Sequence, residues 1–263
     1  MTLVETRALV KRFGAFTAVD GISFSVGRGE VVGFLGPNGA GKSTTMRLIA
    51  GFLEPTSGSA TIAGHDSHTD AVAARSHLGY LPEGAPLYPD MSVSGFLEFI
   101  ASMRGMDRGA ARRRLGELVE RIQLSEVWNR RIETLSKGYK RRVGIAQALV
   151  HDPDVLILDE PTDGLDPNQK HEVRELIRSI AADKAIIIST HILEEVEAVC
   201  TRAIIIARGE LLADSTPAAL IARAPANGPD GLPRSGSLRL EDVFRDITHG
   251  PGSEKLLKEA VEA

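Results

Sequence analysis

EVVGFLGPNGAGKST, residues 30–44, is the stretch that decides the fold. Its first part, 30–36, is mostly apolar and has the length of a buried strand. The part that follows, GPNGAGKST at 36–44, fits the pattern G-x-x-x-x-G-K-[ST], whose glycines let the backbone curl until several N–H groups point at one place. A helix is expected to begin where this loop ends, and the partial positive charge at its N-terminus attracts anions. The stretch therefore predicts a phosphate-binding loop between a strand and a helix.

The residues of this loop have different expected roles. Lys42 is expected to reach the β- and γ-phosphates of a nucleotide, and the Ser43 hydroxyl is expected to bind Mg²⁺. A nucleoside triphosphate with Mg²⁺ is therefore the predicted ligand. The other expected nucleotide contacts in the loop are Gly36, Pro37, Asn38, Gly39, Ala40, Gly41 and Thr44.

Two carboxylates end a second apolar run, VLILDE at 155–160. Asp159 is placed to hold Mg²⁺ through water, and Glu160 is the candidate general base for the attacking water. Adjacent acids after a strand usually form only a polar loop, but the phosphate loop upstream favours the catalytic interpretation. His191 ends another apolar run. It is either a structural histidine or a catalytic group facing the γ-phosphate, and its place at a strand end favours the second.

The composition is that of a soluble globular protein. The chain has 263 residues, of which 43% are hydrophobic and 25% charged, and its net charge of −4 gives no general attraction to nucleic acid. Cys200 is the only cysteine, which fits a reducing compartment. The N-terminus has no signal-peptide core, and the apolar runs are too short to span a bilayer. We expect a soluble cytoplasmic chain whose membrane role, if it has one, depends on a partner.

Short apolar runs alternate with segments of helical period, which predicts an α/β fold with a mainly parallel sheet. Residues 3–14 and 21–30 have the pattern of half-exposed strands in a small antiparallel sheet. From about 92 to 150 only helical patterns occur, which predicts a helical insertion between core strands.

The C-terminal part has a different composition. Residues 222–237 are rich in Pro and Gly and predict a linker. SLRLEDVFRDIT, 237–248, predicts a short strand followed by a helix, and a charged helix is expected after it. The predicted organisation is one domain at 1–221, with its helical part at about 84–150, and an extension at 222–263.

LSKGYKRRVGIAQAL, residues 135–149, begins with a candidate N-cap, Ser136. In most sequences such a start means only that a helix begins. The alternative is that the positive end of this helix faces an anion.

The order of these motifs resembles that of the ATP-binding subunits of ABC transporters, over roughly residues 2–220. The matching segments are GPNGAGKST, LSKGY (135–139), VLILDE, GLDP (164–167) and STH (189–191). The resemblance implies an α/β P-loop NTPase fold with a RecA-like core of mainly parallel sheet, an N-terminal antiparallel β subdomain and a helical insertion subdomain. It implies ATP as the nucleotide.

The resemblance also implies a head-to-tail dimer, in which each ATP lies between the phosphate loop of one copy and LSKGY of the other. Ser136 and the Gly138 backbone would then contact the γ-phosphate of ATP bound to the partner copy. Asp166 would couple the two sites. Phe13 matches the aromatic residue that stacks on adenine, with a core phenylalanine as the alternative.

Two positions depart from the family pattern. Glu83 stands where the family usually has Gln, and LSKGY has Lys137 and Tyr139 where the family usually has Gly and Gln. Glu83 is an oxygen donor that Mg²⁺ accepts. It also adds negative charge near the γ-phosphate, which Lys137 is a candidate to offset across the interface. The segment that begins with Glu83 resembles the segment found in bacterial ABC-2 type exporter ATPases of the gliding-motility and nitrous-oxide-reductase-maturation subgroup.

The function expected from this resemblance is that of an ATP-hydrolysing motor subunit. It would form a homodimer, or pair with a paralogous ABC ATPase, and drive export through a separate integral-membrane permease on the inner face of the cell membrane. No nucleic-acid partner is expected. The alternatives are a non-transport ABC ATPase associated with DNA or ribosomes, and a nucleotide-binding regulator with weak hydrolysis.

Overall fold

The computed structural model describes residues 1–222 and 239–249, which form two sheets with helices around them. The strands are β1 Thr2–Phe13, β2 Phe16–Gly27, β3 Val31–Leu35, β4 Ser57–Ile62, β5 His65–Asp66, β6 Leu78–Leu81, β7 Val155–Asp159, β8 Ala185–Thr190, β9 Arg202–Ala207 and β10 Glu210–Ser215. The helices are α1 Lys42–Ile49, α2 Ala71–Ser76, α3 Val93–Met103, α4 Arg108–Arg121, α5 Lys137–Leu149, α6 Pro167–Ala181, α7 Leu193–Val199, α8 Pro217–Ala222 and α9 Leu240–His249.

The larger sheet has the strand order β10-β9-β3-β8-β7-β6. Neighbouring strands are parallel except for β10, which runs antiparallel to β9. Every residue of β3, β7 and β8 is buried, which explains why these strands have continuous apolar sequences rather than alternating ones. The predicted α/β fold with a mainly parallel sheet is confirmed.

The smaller sheet is antiparallel, with the order β2-β1-β4-β5. Its two long strands fulfil the expectation of a small antiparallel sheet near the N-terminus. The second of them, β2, begins at Phe16 rather than at residue 21. Several register shifts between β1 and β2 break the alternation of apolar and polar residues, and this obscured the start of β2 in the sequence.

Between β6 and β7 the chain forms helices and connecting loops, as the sequence predicted for residues 92–150. The helix α4 begins at an Asp107 cap, whose Oδ1 accepts hydrogen bonds from Gly109 N and Ala110 N at 2.9 and 3.0 Å. Phe96 of α3, Leu118 of α4 and Val143 of α5 belong to one buried cluster that continues to the sheet. The insertion therefore packs as part of the core.

The part of the extension that the structure describes is helical. The predicted helix is α9, which begins at Leu240, whereas the start of the predicted short strand, at 237 and 238, lies outside the described residues. Leu240 and Val243 of α9 share a buried cluster with Leu220 of α8 and Val196 of α7, which holds this helix against the domain. The predicted linker from 223 onward and the predicted C-terminal helix lie outside the described residues.

Candidate functional site

The strands of the larger sheet bring the predicted site residues to one edge. Leu35 of β3 pairs with Thr190 of β8, and Asp159 of β7 pairs with Ser189 of β8. Because these strands are parallel, the segments that follow them leave the sheet on the same side. The phosphate loop, the two acids after β7 and His191 after β8 therefore meet at this edge.

The phosphate loop requires glycine where other backbone approaches it. A methyl group at Gly36 would lie 2.6 Å from Ile206 O, and one at Gly41 would collide with Ala18 O. Gly41 also has φ = +103°, a conformation that side chains disfavour, and it caps the start of α1. The glycines predicted from the motif thus allow the loop to lie tightly against β9 and β2.

The side chain of Lys42 reaches back into the loop that precedes it in the chain. Its Nζ donates hydrogen bonds to Gly36 O at 2.8 Å and Pro37 O at 3.2 Å. Burial lowers the pKa of Lys42, and the carboxylates of Glu160, Asp159 and Glu83 oppose that shift. The ammonium group is therefore close to the acids at this edge of the sheet.

Ser43 and Asp159 together offer the oxygen atoms that Mg²⁺ prefers. Ser43 Oγ donates to Asp159 Oδ1 at 3.4 Å, and the Asp159 side chain is buried. Within residues 1–222 and 239–249, no group of three or more His, Cys, Asp and Glu side chains is arranged to hold a metal ion. A hydroxyl and one carboxylate fit an ion that keeps waters and takes phosphate oxygens, as Mg²⁺ commonly does.

Glu160 and His191 are in direct contact. His191 Nδ1 donates to the two carboxylate oxygens of Glu160 at 2.9 and 3.0 Å. Glu160 has φ = +49°, and its N–H donates to Ser189 O at 2.8 Å. A non-glycine residue in this conformation costs about 1 kcal/mol, and such strain is concentrated at functional sites. His191 thus lies against the candidate general base, which is the arrangement expected of a catalytic histidine.

A cavity of about 450 Å³ contains most of these groups. The residues that line it are Phe16, Ala18, Asn38, Gly39, Gly41, Lys42, Ser43, Thr44, Glu83, Glu160, Asp163 and His191.

Its aromatic residue is Phe16, which the sequence interpretation missed. Phe13, the residue that the resemblance suggested, is not among the lining residues and has Lys11 Nζ 5.2 Å from its ring centre. Phe13 is 49% exposed, so it is no core residue either. Both rings lie at the tip of one hairpin, where Phe13 pairs with Phe16 and Phe16 is 62% exposed. The available signal was the presence of two phenylalanines three positions apart, either of which could have been the aromatic residue of the nucleotide site.

Asp163 is a second residue that sequence reasoning missed. It lines the same cavity as Glu83 and Glu160 and lies in the loop between β7 and α6. Its nearness to Glu160 in the chain was the available signal. The cavity therefore has more acidic groups than the motifs predicted.

Ser136 and Gly138 lie elsewhere, in a separate cavity of about 550 Å³. Ser136 is the N-cap of α5, as predicted, and its Oγ accepts from Tyr139 N at 3.3 Å. A methyl group at Gly138 would lie 2.8 Å from Gln169 Cδ. Asp166 Oδ1 in turn accepts from Gln169 N at 2.9 Å, so Asp166 is linked to this second cavity. Within one chain, the structure does not bring these three residues to the phosphate loop.

Comparison with known proteins gives consistent similarities. The sequence profile of the ABC transporter family matches residues 19–163. The chain is similar to "Probable multidrug ABC transporter ATP-binding protein YbhF" of Escherichia coli (strain K12), with 38% identity over 249 residues, which are 94% of this chain and 42% of that protein. It therefore spans less than half the length of this relative.

Two further similarities extend over most of both chains. "Nod factor export ATP-binding protein I" of Paraburkholderia xenovorans (strain LB400) is 41% identical over 220 residues, which are 83% of this chain and 72% of that protein. A solved structure described as "Structure of ATP binding subunit of ABC transporter" has a TM-score of 0.80 and 30% identity, and the match covers 93% of this chain and 99% of that one.

Proposed function

Because the chain belongs to the ABC transporter family, we propose that it is the ATP-hydrolysing motor subunit of an exporter. The observation that carries this proposal is the division of the predicted site residues between two cavities. Lys42, Ser43, Glu160 and His191 line one cavity, and Ser136 and Gly138 line the other. This division suits an enzyme that needs two copies to complete each site.

Hydrolysis uses the groups at the edge of the parallel sheet. On ATP binding, Lys42 exchanges its carbonyl acceptors for phosphate oxygens, because it already lies within the loop. Glu160 orients a water molecule and accepts its proton as the water attacks the γ-phosphate, while His191 holds the carboxylate by its Nδ1–H. Ser43 and Asp159 would hold the Mg²⁺ that accompanies the nucleotide, with Glu83 as a further candidate ligand, and the ion would supply neutralisation of phosphate charge.

The second copy supplies the groups of the other cavity. In a head-to-tail dimer, whether a homodimer or a pair with a paralogous ABC ATPase, Ser136 Oγ and Gly138 N face the γ-phosphate of ATP held by the partner copy. Asp166 joins the two sites, because it caps the helix whose Gln169 packs on Gly138. ATP thus favours the closed dimer through contacts that exist only in that state.

The permease partner has a candidate surface beside Glu83. A cavity of about 500 Å³ lies between the end of α1, the end of β6 and the end of α3. Phe52 is 61% exposed and packs on Tyr80, with ring centres 5.4 Å apart. The residues that line this cavity include Arg47, Phe52, Tyr80, Pro82, Pro86 and Arg104. Helices of a permease that dock here would move the Glu83 segment with them.

None of the helices in the two described ranges is long and apolar enough to cross a bilayer. The location that we propose from the family is the inner face of the cell membrane, on a separate permease and without nucleic acid. Within the chain, 1–221 would be the ATPase domain, with its helical subdomain at about 84–150, and 222–263 an extension. The relatives named for multidrug transport and Nod factor export support export. Glu83 and the residues that follow it, GAPLYPDM at 84–91, support the proposed ABC-2 exporter subgroup.

Two measurements test this function. Phosphate release by the purified chain should require MgATP and should be lost in Lys42→Ala. The tagged chain should then be isolated from gently solubilised membranes of its host, where we expect a multi-spanning protein in stoichiometric amount. Turnover stimulated by DNA or ribosomes, with only soluble partners recovered, would overturn the transport role while leaving the ATPase assignment in place.

A further inference from the structure

Arg141 of α5 is a buried arginine whose charge the proposed mechanism does not use. It is 8% exposed, and its Nη1 has no hydrogen-bond partner among the described residues. Its neighbour Arg142 differs, because it is bonded to Glu172 and Gln123. Arginine stays charged in proteins, and a buried charge without a full set of partners is costly. Arg141 therefore needs a functional or structural reason to be where it is.

The face of α5 that carries Arg141 packs on the segment that carries Glu83. Gly144 lies three residues after Arg141 and thus on the same side of the helix. A methyl group at Gly144 would lie 2.8 Å from Leu81 Cδ1 and 3.1 Å from Ala85 Cβ. The helix and the segment on either side of Glu83 are therefore in direct contact.

Four carboxylates interact with the charge of Arg141, and three of them line the nucleotide cavity. Burial lowers the pKa of Arg141, and the carboxylates that oppose this shift are those of Asp163, Glu160, Asp159 and Glu83.

Of these four acids, Asp163 and Glu83 are the two without a catalytic or well-supported metal role. Both line the cavity into which ATP would bring further negative charge. Lys42 is a buried cation that lines the same cavity, and its Nζ donates to Gly36 O of the phosphate loop. A second positive charge near these acids would reduce their repulsion of the phosphates.

We propose that Arg141 is a positioning residue that neutralises Glu83 and Asp163 when ATP binds. Its guanidinium offsets the negative charge of these carboxylates from within the same chain. The inference rests on the proposed function, because it takes ATP to be the ligand of the cavity.

The test is a rescue experiment on the full chain. The dissociation constant for ATP is measured by calorimetry in EDTA, so that Mg²⁺ and hydrolysis do not contribute, and KM is measured separately with MgATP. Arg141→Gln should weaken ATP binding by about tenfold, the order expected for one uncompensated charge at a partly screened distance. Combining it with Glu83→Gln or with Asp163→Asn should recover most of that loss, because the acid left uncompensated is then gone.

Arg114→Gln is the matched control. Arg114 lies in the same helical insertion and pairs with Asp152 at 2.8 Å, away from the nucleotide cavity. The Arg114→Gln chain should bind ATP as tightly as the wild type does. The same should hold when Arg114→Gln is combined with Glu83→Gln. Thermal unfolding without nucleotide shows whether each variant is folded. If Arg141→Gln does not fold, Arg141→Lys, which keeps the charge, should bind ATP nearly as the wild type does.

The outcomes separate this inference from the proposed function. Recovery of ATP affinity with either Glu83→Gln or Asp163→Asn supports the inference, because removing an acid would not compensate for the loss of a purely structural arginine. ATP affinity that stays low in both double variants overturns it, and so does an Arg141→Lys variant as weak as Arg141→Gln. A wild-type chain that neither binds nor hydrolyses ATP would overturn the proposed function, and this inference with it.

Discussion

Glu160→Gln is expected to abolish hydrolysis while ATP remains bound. Glu160 directly follows β7, and its carboxylate accepts from His191 Nδ1 at 2.9 and 3.0 Å. The amide has the same shape, and its oxygen still accepts this hydrogen bond, so the fold should change little. The amide cannot accept a proton from water, and this is the function that is removed.

The size of the effect follows from the role of a general base. A positioned base contributes about 10²- to 10⁴-fold to the rate, which corresponds to about 3–5 kcal/mol of the barrier. We therefore expect kcat to fall by at least about 100-fold. ATP affinity should not fall, because the substitution removes one negative charge from a cavity that Glu83 and Asp163 also line.

Phosphate release at saturating MgATP and calorimetric ATP binding measure the two quantities. Glu175→Gln is the control, since Glu175 is an exposed acid that pairs with Arg178 on the surface of α6. It should behave as the wild type. In ATP and Mg²⁺, Glu160→Gln should also elute as a stable dimer. Wild-type turnover in Glu160→Gln would refute the base assignment, whereas loss of ATP binding would show that the carboxylate holds the site together instead.

Three further predictions concern the division of the site and its unusual residues. Glu83→Gln should stay active in phosphate release, because it restores the residue usual in the family; complete loss of activity would show that the acid has a specific role. Chains with Lys42→Ala or with Gly138→Asp should each be inactive, but their mixture should regain part of the activity, since one intact site forms in the mixed dimer. A mixed dimer without hydrolysis would contradict the assignment of Gly138 to the partner's site. Phe16→Ala should raise the KM for ATP more than Phe13→Ala does, because Phe16 lines the cavity; the reverse order would favour the assignment based on the family resemblance.

Much of the site was predictable because its signals are local. The spacing of the glycines before Lys42 defines a loop by backbone geometry alone. Asp159 and His191 were recognisable because each follows a continuous apolar run, and the ends of parallel strands share one edge of a sheet. Ser136 was recognisable as a cap for a similar reason, since its hydrogen bond reaches only three residues along the chain.

Other features carried no local signal. The strand β6 has four residues, one of them glycine, and its partner β7 lies far along the chain. Such a short run cannot be recognised from periodicity. The strand that leads to Glu83 was therefore missed, although Glu83 itself was identified by the residues around it.

The sequence by itself determined the class of fold, the phosphate loop and the chemical types of residue at the site, because these depend on spacing within short segments. Only the tertiary structure decided that β8 separates β3 from β7, that Phe16 rather than Phe13 lines the cavity, and that Arg141 is buried on a helix that packs on the Glu83 segment. Strand order and helix packing depend on contacts between residues far apart in the chain. No local pattern of residue types encodes these contacts, so which side chains share a cavity is known only once the chain has folded.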